Sequence, residues 1–158
     1  FQSLLLYPVG EYDLRTFLQL TADEEDLSSA DFSTSRLWLQ TWFGCLAGAL
    51  CYMHETGVRH QDIKPSNIIH RGRDVYFTDF SSADKFELGG TTSTENPAST
   101  TAMYAAPETL HDGDEYQRHG LATDVFSLGC VFIEMLAVLA GSTVDELQDW
   151  CFDQSGSK

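Results

Sequence analysis

Apolar residues recur at helical spacing most clearly over residues 35–55. Leu39, Phe43, Leu46, Leu50 and Met53 fall three and four apart and so line one stripe of an amphipathic helix. Gly57 follows as a C-terminal cap residue. Upstream, 1–6 reads as a buried strand stopped by a turn at 7–10, and 14–20 as a short helix that Asp13 can cap. Residues 21–34 are polar and acidic and read as a loop. Two short extended runs, 67–70 and 75–78, flank Arg71-Gly72-Arg73-Asp74, which is a hairpin signal. The stretch 81–101 is rich in Ser, Thr, Gly and Asn and cannot bury enough apolar surface to hold itself rigid. A loop of that length inside a compact domain is a mark of function. A second helix is expected over 122–140, apolar nearly all round and therefore buried at the centre of the fold, with Glu134 pointing outward. Residues 141–158 read as a polar turn, a weak helix and a frayed end.

With 158 residues, 42% of them apolar, the chain suits one domain with a real core. The longest nearly apolar run, 128–140, reads as too short to cross a bilayer, and no basic-then-apolar leader opens the chain. Residue 1 is Phe and lies in an apolar run, so the chain is expected to begin inside a structural element, as a fragment. The formal charge of −15 argues against nucleic acid as a partner. The acidic residues, among them Glu11, Asp13, 23–26 and Asp31, suit a solvated face; a surface favouring basic substrates is the alternative. Cys45, Cys51, Cys130 and Cys151 form no Cys-x-x-Cys pair. Reduced thiols in an intracellular protein, cytoplasmic or nuclear, are the simplest account.

The chemistry lies in His60-Gln61-Asp62-Ile63-Lys64-Pro65-Ser66-Asn67, between the long helix and the hairpin. Phosphoryl transfer asks for these residue types. A carboxylate positions the attacking hydroxyl and takes its proton, a cation neutralises the moving phosphoryl group, and an oxygen ligand holds a magnesium ion. Thr78-Asp79-Phe80-Ser81 adds a second hard carboxylate at the end of the hairpin. Taken singly, an Asp such as Asp62 or Asp79 is more often a turn or cap residue.

Together these segments resemble the protein kinases of the eukaryotic serine/threonine class. The first is similar to the catalytic loop, and Asp79-Phe80-Ser81 to the metal-binding triplet that is usually Asp-Phe-Gly. Ala106-Pro107-Glu108 resembles the triplet that ends the activation segment, and 123–129 the start of the central helix. The resemblance implies roles residue by residue. Asp62 is the catalytic base, Lys64 the phosphate-contacting cation, and Asn67 and Asp79 the magnesium ligands. Ile69 lies under the adenine ring, Val9 belongs with Tyr7 and Pro8 to the adenine-binding hinge behind which Leu6 guards the pocket, and Thr101 braces the base. Asp124 holds the catalytic-loop backbone, and His60 braces the same loop from the core. ATP and magnesium are the implied cofactors, and a protein bearing a Ser or Thr acceptor is the implied partner.

The implied fold is α+β, mainly α: the helical large lobe of a kinase with a small β-hairpin. Residues 1–10 would close the small lobe and form the hinge, 11–158 would be an incomplete large lobe, and 79–108 the activation segment. No Gly-rich phosphate loop, strand lysine or partnering helix glutamate occurs in the 158 residues; they are expected before Phe1, so the small lobe is absent and the chain alone inactive. Gln61 stands where the family usually has Arg, and Ser81 where it has Gly. Two functions remain open, transfer of the ATP γ-phosphate to protein Ser/Thr hydroxyls and a pseudokinase-like scaffold without catalysis.

Overall fold

The computed structural model describes residues 9–23, 30–86, 102–109 and 120–155. The expected strand at 1–6, hinge residues Leu6, Tyr7 and Pro8, the segment 87–101 and Thr101 lie outside the described residues.

Helix α1, Leu14–Ala22, starts where the sequence places it, with the Asp13 carboxylate accepting the Thr16 N–H at 2.8 Å. Such a cap contributes about 1 kcal/mol. Its inner face is Leu14, Phe17, Leu18 and Thr21. Helix α2 is longer than expected and runs Ala30–Glu55. Ser33 and Thr34 in its early turns are exposed, so hydrophobic periodicity cannot reveal that part of the helix. The expected stripe is present, with Leu39, Leu46 and Leu50 buried and Phe43 and Met53 partly so. Trp42 joins it, fully buried, and its Nε1 donates to the Arg73 carbonyl at 2.6 Å, pinning the hairpin to α2. Gly57 ends the turn after α2 at φ +78, its amide bonded to the His54 carbonyl.

Strands β3, Ile68–Arg71, and β4, Asp74–Phe77, form the expected antiparallel hairpin, with Arg71 opposite Asp74 and Gly72 at φ +54 in the tight turn between them. A short strand β1, Tyr12–Asp13, extends the sheet against β3. A second ladder joins β2, Val58–Arg59, to β5, Asp84–Lys85.

Helix α3, Leu121–Leu139, packs on α1 and α2, and α4, Val144–Ser155, packs on α3. Two expectations for α3 fail. It is not buried all round: Leu128, Val131, Met135 and Val138 enter the core while Val125, Ile133 and Leu136 stay exposed. Nor does Glu134 point outward. It is buried, because Tyr104 Oη donates to its Oε1 at 2.8 Å and satisfies the carboxylate inside. The reading of the apolar run as too short to span a bilayer also needs correction, since the helix starts at Leu121 and is long and apolar enough by length and composition. Its buried Asp124 and Glu134 are spent on contacts within the fold.

Candidate active site

The catalytic-loop candidates converge on one buried carboxylate. Pro65 opens a single 3-10 turn, Pro65–Asn67, whose tightness folds Lys64 and Asn67 back over Asp62. Lys64 Nζ reaches Asp62 Oδ2 at 2.8 Å. Asn67 Nδ2 donates to that same oxygen and to the Asp62 backbone carbonyl, each at 2.9 Å. The other oxygen, Asp62 Oδ1, is buried with no hydrogen-bond partner. Leaving a buried acceptor unpaired costs about 1–3 kcal/mol.

The loop is held from below. Buried Asp124, in the first turn of α3, accepts the amides of His60 at 2.9 Å and Gln61 at 2.8 Å, and the His54 ring at 3.0 Å. Gln61 adopts φ +65, a left-handed conformation uncommon for a residue with a side chain. His60 is fully buried. Its Nε2 donates to the Thr78 carbonyl at 2.9 Å, which leaves Nδ1 to face the Asp62 amide at 3.4 Å.

The hairpin delivers Asp79 to the same place. The Thr78 amide donates to the Asn67 carbonyl at 2.9 Å, so Asp79 follows directly after a residue bonded to both Asn67 and His60. Asp79 sits at φ 57, ψ 69 and caps the 3-10 turn Phe80–Ser82. The hydroxyl of Ser81 donates to its Oδ1 at 2.7 Å. That bond, then the Ser81 amide, and to a lesser degree Lys64 and the His60 ring, hold the Asp79 carboxyl below the usual range. Lys64 therefore acts electrostatically on both Asp62 and Asp79. Phe80 is 48% exposed and touches the His60 ring, centroids 4.9 Å apart.

The adenine candidates are less enclosed. Ile69 is partly buried in β3, and its Cβ lies 3.0 Å from where a side chain on Gly10 would begin. Val9, beside Gly10, is 74% exposed. The Glu11 amide bonds the His70 carbonyl at 2.8 Å, so the chain after Val9 runs along the hairpin.

Among the described residues no group of three or more His, Cys, Asp or Glu could hold a metal ion. The donor set still suits magnesium, which takes one or two carboxylates and leaves its remaining positions to water and substrate phosphates. With both Nδ2 bonds made to Asp62, Asn67 Oδ1 is the remaining amide atom, a hard oxygen like those of Asp79.

The protein kinase domain family matches residues 13–146. The chain belongs to the protein kinase family. It is 29% identical over 139 residues to cyclin-dependent kinase E-1 of Arabidopsis thaliana, covering 85% of this chain and 28% of that protein. It is 37% identical over 92 residues to mitogen-activated protein kinase 4 of Oryza sativa subsp. japonica, covering 58% and 24%. With the serine/threonine-protein kinase grp of Drosophila melanogaster it shares 31% over 124 residues, covering 77% and 23%. The chain spans under two fifths of the length of such relatives, 28% and 38% in two of them.

Within this kinase domain several contacts escape sequence reasoning. Arg59 is buried; its guanidinium pairs with Asp84 at 3.0 Å and lies over the Phe86 ring, 5.4 Å from the centroid. Nothing local marks that direction, because Asp84 comes from the far side of the hairpin. The end of the activation-segment candidate docks on α3 through Tyr104, whose carbonyl accepts the Ser127 hydroxyl at 2.8 Å while its own hydroxyl meets Glu134. Ala105 and Ala106 are buried beside it.

Proposed function

We propose that this kinase domain belongs to a protein that transfers the γ-phosphate of ATP to Ser or Thr hydroxyls of other proteins. The reading takes the described residues as part of the large lobe. The observation that carries it is the lopsided Asp62 carboxylate, with Oδ2 saturated by Lys64 and Asn67 and Oδ1 buried and unpartnered. An acceptor kept unpaired at this cost suits a base that receives a substrate hydroxyl. Lys64 would neutralise charge on the phosphoryl group, Asn67 and Asp79 would hold magnesium, and Ile69 and Val9 would flank the adenine. Magnesium, when bound, would neutralise the phosphate oxygens. Lys64, two positions after Asp62, and Thr101, three before Tyr104, favour Ser/Thr acceptors by resemblance to the serine/threonine class.

The 158 residues contain no Gly-rich phosphate loop and no lysine ahead of Lys64. Transfer is therefore proposed for a protein that supplies them, in an intracellular setting, and not for these residues alone. The test compares Asp62→Asn with Asp79→Asn in the full-length protein. Asp62→Asn should abolish peptide phosphorylation and leave nucleotide binding nearly intact, whereas Asp79→Asn should weaken magnesium-dependent nucleotide binding as well. Peptide phosphorylation unchanged in both variants would sink the enzyme reading and leave a scaffold.

A further inference from the structure

We propose that the hydroxyl of Ser81 is a positioning group for Asp79, fixing its carboxylate as a one-oxygen donor to a divalent cation. The inference rests on the reading of Asp79 as a metal ligand given above.

Asp79 is an exposed residue at φ 57, and an exposed carboxylate ordinarily samples several rotamers. Here the side chain is folded over the turn that follows it. The Ser81 amide approaches Oδ1 only at 3.4 Å, whereas the Ser81 hydroxyl reaches the same oxygen at 2.7 Å. An amide contact of that length is weak, and an O–H to carboxylate bond at the shorter distance is charge-assisted and roughly twice as strong as a neutral one. The hydroxyl therefore does most of the holding.

A glycine at position 81 could offer only the weak amide. Serine gives up backbone freedom there and supplies the strong donor. Because both Ser81 contacts fall on Oδ1, Oδ2 stays outside the clasp. Magnesium demands near-ideal octahedral geometry, and a carboxylate with one oxygen engaged and the other presented in a fixed direction meets that demand at lower entropy cost than a freely rotating one.

The test uses the full-length protein with ATP and Mn2+, bound and free metal being counted by electron paramagnetic resonance. Ser81→Ala and Ser81→Gly should each weaken Mn2+ binding about tenfold, and Ser81→Thr, which keeps the hydroxyl, should stay within about twofold of the parent. Ser81 is exposed, so these variants leave the core intact, and a thermal melt checks that. Asp79→Asn is the control. If Asp79→Asn loses the metal while Ser81→Ala and Ser81→Gly bind it as the parent does, the Ser81 inference is overturned and the Asp79 reading survives. Tighter Mn2+ binding in Ser81→Ala would also overturn it, by showing that the hydroxyl competes with the cation. If Asp79→Asn binds Mn2+ unchanged, the Asp79 reading fails and takes the inference with it.

Discussion

Asn67 donates through one nitrogen to both the carbonyl and the carboxylate of Asp62, each at 2.9 Å. A single amide thus ties the backbone and side chain of the proposed base together. Asn67→Asp replaces that donor with a second carboxylate against the first, and like charges at this range cannot both ionise freely. Asn67→Asp should lower phosphotransfer by the full-length protein at least a hundredfold, beyond the loss in Asn67→Ala. Steady-state peptide phosphorylation of the two variants measures it; equal losses would mean that the second carboxylate does not act on Asp62.

Asp124 accepts two amides of the loop and the ring of His54 from a buried position. Removing it strands two backbone donors, each at about 1–3 kcal/mol. Asp124→Ala should therefore destabilise the domain by about 2–5 kcal/mol, with His54→Ala well below that, read from urea denaturation midpoints at constant slope. Equal effects would show that the ring, and not the loop amides, carries the carboxylate.

The Arg59–Asp84 pair anchors the chain just beyond Asp79 with a charge the protein carries itself. Gln61 carries no charge with which to pair a loop phosphate. Phosphatase-treated full-length protein should keep its activity. Asp84→Arg should speed hydrogen exchange at the amides of 84–86, and Arg59→Asp added to it should slow exchange again. Collapse of activity on dephosphorylation, restored by phosphorylating a residue in 91–101, would show that another cation reads the phosphate.

Burial pushes the Glu134 carboxyl up, against the opposing pull of the Tyr104 and Gln148 hydrogen bonds. A carboxyl raised in the folded state is protonated there more readily than in the unfolded chain. Its contribution to stability is full below the unfolded pKa and is lost as pH rises through the folded one. Glu134→Gln should remove this dependence, flattening the melting temperature between about pH 4 and pH 7 relative to the parent. A melting temperature that falls through that window as steeply in the variant as in the parent would count against it.

What was legible in the sequence was local. The Asp13 cap, the α2 stripe and the hairpin each announce themselves within a few residues. Asp62, Lys64 and Asn67 lie within six residues of one another, so their meeting needed no tertiary information, and the hairpin between Asn67 and Asp79 carries the second carboxylate back by its own geometry. Contacts across the fold were silent. The Tyr104 hydroxyl that draws Glu134 inward lies on a distant segment, so a lone acid in an apolar helix looked outward-facing. The paired strands at Val58–Arg59 and Asp84–Lys85 are too short to carry an alternation, which left the direction of Arg59 unreadable. The early turns of α2 had no apolar stripe to betray them.

Gly57 has no room for a side chain: a Cβ there would lie 2.7 Å from the Phe86 carbonyl oxygen, and its own carbonyl accepts the Phe86 amide at 2.9 Å. The junction between the end of α2 and the segment that follows Asp79-Phe80-Ser81 is thus made by main chain on both sides. Such a joint is blind to residue type on one side and intolerant on the other. Position 86 can drift through other residues, losing the ring beneath Arg59 but keeping the joint, whereas position 57 admits glycine alone. In a saturation library the two touching positions should show opposite profiles, one broad and one collapsed to a single residue.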